Sequence, residues 1–144
     1  MMTDYSKLVD AWPLGPYDEE ALASVDRPSE SYPFQKSLRQ AWGESGLPLS
    51  VFLDHVAFYV ASEFNARRLS FAHADQIAND LFHEALFTDH PVPGHSYLSN
   101  LLDHVYSAFD RGEWSHPEMD RNDDPIEKYT RPHIALLLVA GRAV

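Results

Sequence analysis

Eight histidines and 22 carboxylates are the side chains of widest chemical reach in this 144-residue sequence, because together they can ligate metals and move protons. A metal site on helices needs ligands three or four residues apart on facing elements. His83-Glu84 begins a zinc-protease pattern, but Phe87 stands where its second histidine belongs. His73, Asp80 and Glu84 share one flank of a helix, about 100° from the centre of its apolar stripe. A solvated edge is the simpler reading of that flank. The pairs Asp54-His55, Asp89-His90 and Asp103-His104 are not dyads in themselves, since neighbouring side chains on a helix diverge by about 100°. His55, on the most apolar helix, reads as a buried histidine satisfied by a hydrogen bond.

Other catalytic patterns fail on particular residues. Gly94-His95-Ser96-Tyr97-Leu98 is half of a nucleophile elbow, with Leu98 in place of the second glycine and no strand before it; Ser96 reads as a helix cap. The segment 120–125 spaces oxygen ligands like a calcium loop, but Pro125 occupies the glycine position and Arg131 the final acidic one. Cysteine is absent, which removes disulfides, thiolate ligands and thiol nucleophiles. The chain is therefore expected not to be an enzyme and to carry no cofactor or metal. The alternatives are a helical metal-dependent hydrolase using His73, His83, Glu84, Asp103 and His104, and a general protein-interaction module.

A charge pattern stands out more than any motif. Between positions 110 and 127 lie seven acids (Asp110, Glu113, Glu118, Asp120, Asp123, Asp124, Glu127) and two bases (Arg111, Arg121). Tyr106 and Phe109 precede the stretch, Trp114 lies within it and Tyr129 follows. Charge steers encounter with a basic protein and aromatic anchors hold it, so Tyr106, Asp110, Glu113, Trp114, Asp120, Asp123, Asp124 and Glu127 are the candidate partner-binding residues. The net charge of −11 agrees, since it repels nucleic acid and anionic membranes.

These residues are carried by helices. Apolar spacing and capping residues predict a short helix over 18–25, then longer ones over 33–42, 49–69, 71–87 and 96–111, and a last one entered through Thr130 and running to about 139. Ser70 caps the helix over 71–87, Gly112 ends the one before the acidic stretch, and Pro132 sits in the first turn of the last. Residues 1–32 form an irregular proline-rich segment packed on the rest, and 113–129 an acidic loop. The expected architecture is all-α, a single domain over 1–144: a compact antiparallel bundle of four to five helices. No secretory signal is visible at the N-terminus, and the longest apolar run, 134–140, is far short of the roughly 20 residues a membrane span needs. A cytoplasmic protein is expected.

The stretch Tyr106-Ser107-Ala108-Phe109-Asp110-Arg111-Gly112-Glu113-Trp114, followed by Asp124-Pro125-Ile126-Glu127-Lys128-Tyr129-Thr130-Arg131-Pro132 and an apolar helix, resembles the C-terminal part of small helical immunity proteins, colicin-D-immunity-like or of contact-dependent growth inhibition systems. The resemblance covers roughly the last 40 residues. It implies a cytosolic antitoxin that binds a basic toxin domain, a nuclease in such systems, without touching nucleic acid itself.

Overall fold

The computed structural model describes residues 4–15, 17, 19–23, 32–120 and 122–142. Among them are seven α-helices and no strand: α1 (Ser6–Asp10), α2 (Glu19–Ala23), α3 (Gln35–Ser45), α4 (Leu49–Asn65), α5 (Phe71–Phe87), α6 (Asn100–Asp110) and α7 (Arg131–Arg142), the last entered through a π-helical turn, Ile126–Thr130. No helix is long and apolar enough to cross a membrane. The all-α bundle expected from the apolar spacing is what is found.

Packing radiates from α4, which touches α3, α5, α6 and α7. Its residues Phe52, Leu53, Val56, Ala57, Val60, Ala61 and Phe64 are buried, one wide face at helical spacing. The opposite side is thinner than the apolar count predicts: Val51 is exposed, and Phe58 and Tyr59 are only half-buried. His55 is exposed rather than buried, with its Nδ1 3.4 Å from the Tyr5 hydroxyl. The stripe of α5 (Ala74, Ile77, Ala78, Leu81, Ala85) and that of α6 (Leu102, Val105, Ala108, Phe109) close on α4, and Ile134 and Leu138 of α7 complete the core. Phe109 meets Phe64 edge to face at 5.0 Å.

Several helix ends differ from expectation, each for a local reason. Helix α3 runs three residues past the predicted end at Trp42, through Gly43, and stops at Gly46, whose φ of +69° is the left-handed cap glycine takes without strain. Helix α4 stops at Asn65, four residues early. There Arg67 adopts φ +62°, and the amides of Arg67 and Arg68 return to the carbonyls of Phe64 and Glu63, a Schellman cap without glycine. Ser70 caps α5 as predicted, accepting from the His73 amide. Ser99, not Ser96, caps α6: its hydroxyl accepts from the Leu102 amide and donates to Asp54 of α4. Ser96 closes a turn one step earlier, accepting from the Leu98 amide.

Thr130 does not cap the last helix, which is already under way at that point. Asp124 starts the turn by accepting from the Ile126 amide. Pro132 has no amide to offer Lys128 and its ring crowds that carbonyl, which accounts for a widened turn just before it. Thr130 is then turned inward, fully buried, donating to the Ala108 carbonyl at 2.7 Å. Gly112 lies so close that a Cβ there would stand 2.4 Å from the Thr130 hydroxyl and 2.8 Å from the Phe71 ring.

The described part of the N-terminal segment carries α1, which the sequence did not predict, and α2, within the predicted 18–25; positions 18, 24 and 25 lie outside the described residues. It is fastened to the α5 flank that reads from sequence as a solvated edge. Asp80 accepts from Trp12 Nε1 at 2.8 Å, the Tyr17 hydroxyl at 2.5 Å and Gln76 Nε2 at 3.0 Å. One turn on, Glu84, 1% exposed, accepts from Tyr32, Gln35, Arg39 and Thr88. His73 donates to the Trp12 carbonyl at 2.8 Å. A buried carboxylate without donors is costly, so these two acids select the one arrangement that supplies them.

Candidate partner-binding surface

Helix α6 carries Tyr106 and Asp110 on successive turns, and the turn that ends it carries Glu113 and Trp114. Tyr106 lies flat on Phe82 of α5, ring centroids 3.8 Å apart and planes 15° from parallel, so it is half-buried as part of the α5–α6 seam. Loss of water, and then the charges of Asp110, Glu113 and Asp75, push its hydroxyl above the ordinary tyrosine range.

A third carboxylate joins from α5. Glu113 lies close enough to Asp75 and Asp110 for these acids to act on one another's titration at the α5–α6 junction. Glu113 is exposed over much of its surface, but its carboxyl turns toward the other two and loses water there. Burial, the hydrogen bond with Asp110 and the nearby charge of Asp75 together raise its pKa to about 8. Burial also raises Asp75, to about 6, with Asp110 adding repulsion and the bonds to Glu113 and Asn79 opposing. Among the described residues no lysine or arginine forms an ion pair with any of the three. These acids have no counter-charge among the described residues, and their mutual repulsion favours the protonated form of Glu113.

Trp114, half exposed, is propped from behind. Its ring lies 4.0 Å from that of His116, which lies 4.3 Å from Tyr129, and the Arg111 guanidinium sits over Tyr129 at 4.5 Å. His116 is buried and donates through Nε2 to the Arg111 carbonyl. Tyr129 donates to Glu118 at 2.7 Å. This stack gives the indole a fixed orientation on an otherwise irregular segment.

The remaining acids predicted to face a partner are placed differently. Asp123 is paired with Lys128 at 2.9 Å and accepts from the Asp120 amide. Glu127 is paired with Arg131 at 2.9 Å. Asp124 is the turn cap described above, and Asp120 is exposed without an ion pair among the described residues. Arg121 lies outside the described residues. Ion pairs thus neutralise Asp123 and Glu127 within the acidic loop, while Asp75, Asp110, Glu113 and Asp120 have no ion pair among the described residues. Asp75 was missed because its partners are more than 30 positions away; the one sequence signal is an acid next to the Ala74–Ala78 stripe.

The histidines and acids of the hydrolase alternative are not brought together. His73 and Glu84 serve the N-terminal segment, and no group of three or more histidines and carboxylates among the described residues is placed to hold a metal. A shallow groove of about 480 Å³ between α1 and α3 is lined by Tyr5, Leu8, Phe34 and Phe52, with Asp4, Lys7 and Glu44 also contributing. Comparison with known protein families, with curated proteins and with solved structures finds no match to this chain.

Proposed function

We propose that this chain is a non-enzymatic inhibitor, an immunity protein that binds and neutralises a basic bacterial toxin domain in the cytoplasm. The observation that carries the reading is the carboxylate triad of Asp75, Asp110 and Glu113, uncompensated beside the exposed Trp114. A lysine or arginine entering the triad displaces the proton on Glu113 and relieves the repulsion. Trp114, next in the chain to Glu113, and Tyr106, whose hydroxyl feels the three acids, add aromatic surface that accepts a cation or an apolar stem. Asp120, Asp123, Asp124 and Glu127 add the wider negative field that speeds encounter.

A nuclease is the toxin class this charge fits, because such enzymes carry a basic surface for phosphates. The resemblance of the last 40 residues to toxin-immunity proteins supports the same class of partner. The inhibitor then offers carboxylates where the nuclease expects nucleic acid.

The test is a paired capture from lysate of the source cells at low salt. One bait is the natural chain, the other carries Asp75→Asn, Asp110→Asn and Glu113→Gln. The reading expects a basic protein on the first bait that elutes as salt rises, is lost from the second bait, and has a nuclease activity that the natural chain suppresses. Equal capture by both baits removes the triad from the interface, and suppression of no nuclease by the captured complex removes the antitoxin role.

A further inference from the structure

We propose that His104 and His133 form a two-imidazole clamp for a divalent transition-metal ion of the zinc type, one ion per chain. His104 lies on α6 and His133 in the first turn of α7, two helices packed directly on each other. Their rings meet at 5.7 Å between centroids with planes 77° apart. With Zn–N bonds of about 2.0–2.1 Å and a ring nitrogen about 1.1 Å from its own centroid, two imidazoles on one tetrahedral ion stand roughly 5.2 Å apart. Rotation about the soft terminal torsion turns a nitrogen of either ring toward the other, and a small change in the first side-chain torsion brings the centroids the remaining distance together.

The ring nitrogens of this pair are uncommitted. His55, His73, His90 and His116 each use a ring nitrogen in a hydrogen bond. Neither His104 nor His133 makes one with any described residue. His104 is exposed and His133 half-buried, and no buried side-chain nitrogen or oxygen lacks a partner, so the free nitrogens of His133 reach the surface. Arg111 opposes a second cation, but its guanidinium is engaged on the Tyr129 ring.

Imidazole suits zinc, copper and nickel, and two nitrogens leave positions that water fills. The clamp therefore binds more weakly than a closed structural site and ties α6 to α7. His90 and His95 are also 5.6 Å apart, but they sit on the loop between α5 and α6 and His90 already accepts from the Val92 amide. They are the natural control.

The experiment is zinc titration of chelator-stripped protein by calorimetry, with melting temperature and histidine side-chain nitrogen shifts read in parallel. The clamp predicts one zinc per chain, a melting temperature that rises with zinc, and the largest shifts at His104 and His133. His104→Gln and His133→Gln, both near the surface, should each weaken binding by about tenfold or more, while His90→Gln with His95→Gln leaves it unchanged. No uptake at millimolar zinc, equal uptake by the His104 and His133 variants, or loss with the His90 and His95 variant overturns the proposal. None of these readouts involves a protein partner.

Discussion

Replacing Glu113 by glutamine should flatten the dependence of stability on pH above the acid range. A carboxyl whose pKa is raised by folding, from 4.5 to about 8 for Glu113, binds its proton more tightly in the native state than in the unfolded chain. The native state then holds more protons between those values. Stability from this group is therefore greatest below the unfolded pKa and is lost as pH climbs through the folded one. The full shift at about 1.4 kcal/mol per unit would be near 5 kcal/mol, but Glu113 is largely exposed and screening leaves about 1–2 kcal/mol. That corresponds to a fall in melting temperature of roughly 3–6 °C between pH 5 and pH 8 for a domain of this size. Glutamine keeps the shape and a hydrogen-bond donor but has no proton to lose. Thermal melts of the natural chain and Glu113→Gln at several pH values isolate this contribution, because the histidines and the net charge act on both. The variant should equal the natural chain near pH 5 and exceed it at pH 8. Asp75→Asn should do the same over a lower window, up to about pH 6. Parallel curves for natural chain and variant would refute the argument that the three carboxyls repel one another.

Three further outcomes follow from the packing. Arg39→Met leaves Glu84 buried without its cation and should cost about 3–5 kcal/mol in denaturant unfolding, with the N-terminal segment losing protection from hydrogen exchange first. Arg67→Gly relieves a left-handed residue in the α4 cap and should stabilise by about 0.5–1 kcal/mol in the same assay, whereas Arg67→Ala should not. Gly112→Ala forces a Cβ against Thr130 and Phe71 and should destabilise by about 1–3 kcal/mol, a loss that Gly43→Ala, with open space around it, will not show.

What was legible in the sequence was whatever depends on near neighbours. The stripe of α5 and the Ser70 cap were readable because helical spacing and a capping serine are local signals. The roles of Asp80 and Glu84 were not, because Trp12 and Tyr17 reach Asp80 from 68 and 63 positions away and Gln35 reaches Glu84 from 49. Ser96 reads as the cap by sequence, and the cap is Ser99 because Asp54, on another helix, accepts its hydroxyl. Thr130 looked like a cap until Pro132 and the buried Ala108 carbonyl gave it another place. At the candidate surface, Tyr106, Asp110, Glu113 and Trp114 were found as a cluster along the chain. Their partner Asp75 was hidden, as was the neutralisation of Asp123 by Lys128 and of Glu127 by Arg131.

In the proposed interface the triad and Trp114 receive cationic side chains. Titration of the isotope-labelled chain with a short arginine-rich peptide at low salt, followed residue by residue by NMR, tests it most directly. The largest shifts should fall on Asp75, Tyr106, Asp110, Glu113 and the Trp114 indole, should vanish as salt rises, and should be abolished by Asp75→Asn with Glu113→Gln. Shifts spread evenly over the exposed acids, or centred elsewhere and unchanged in that variant, would contradict it.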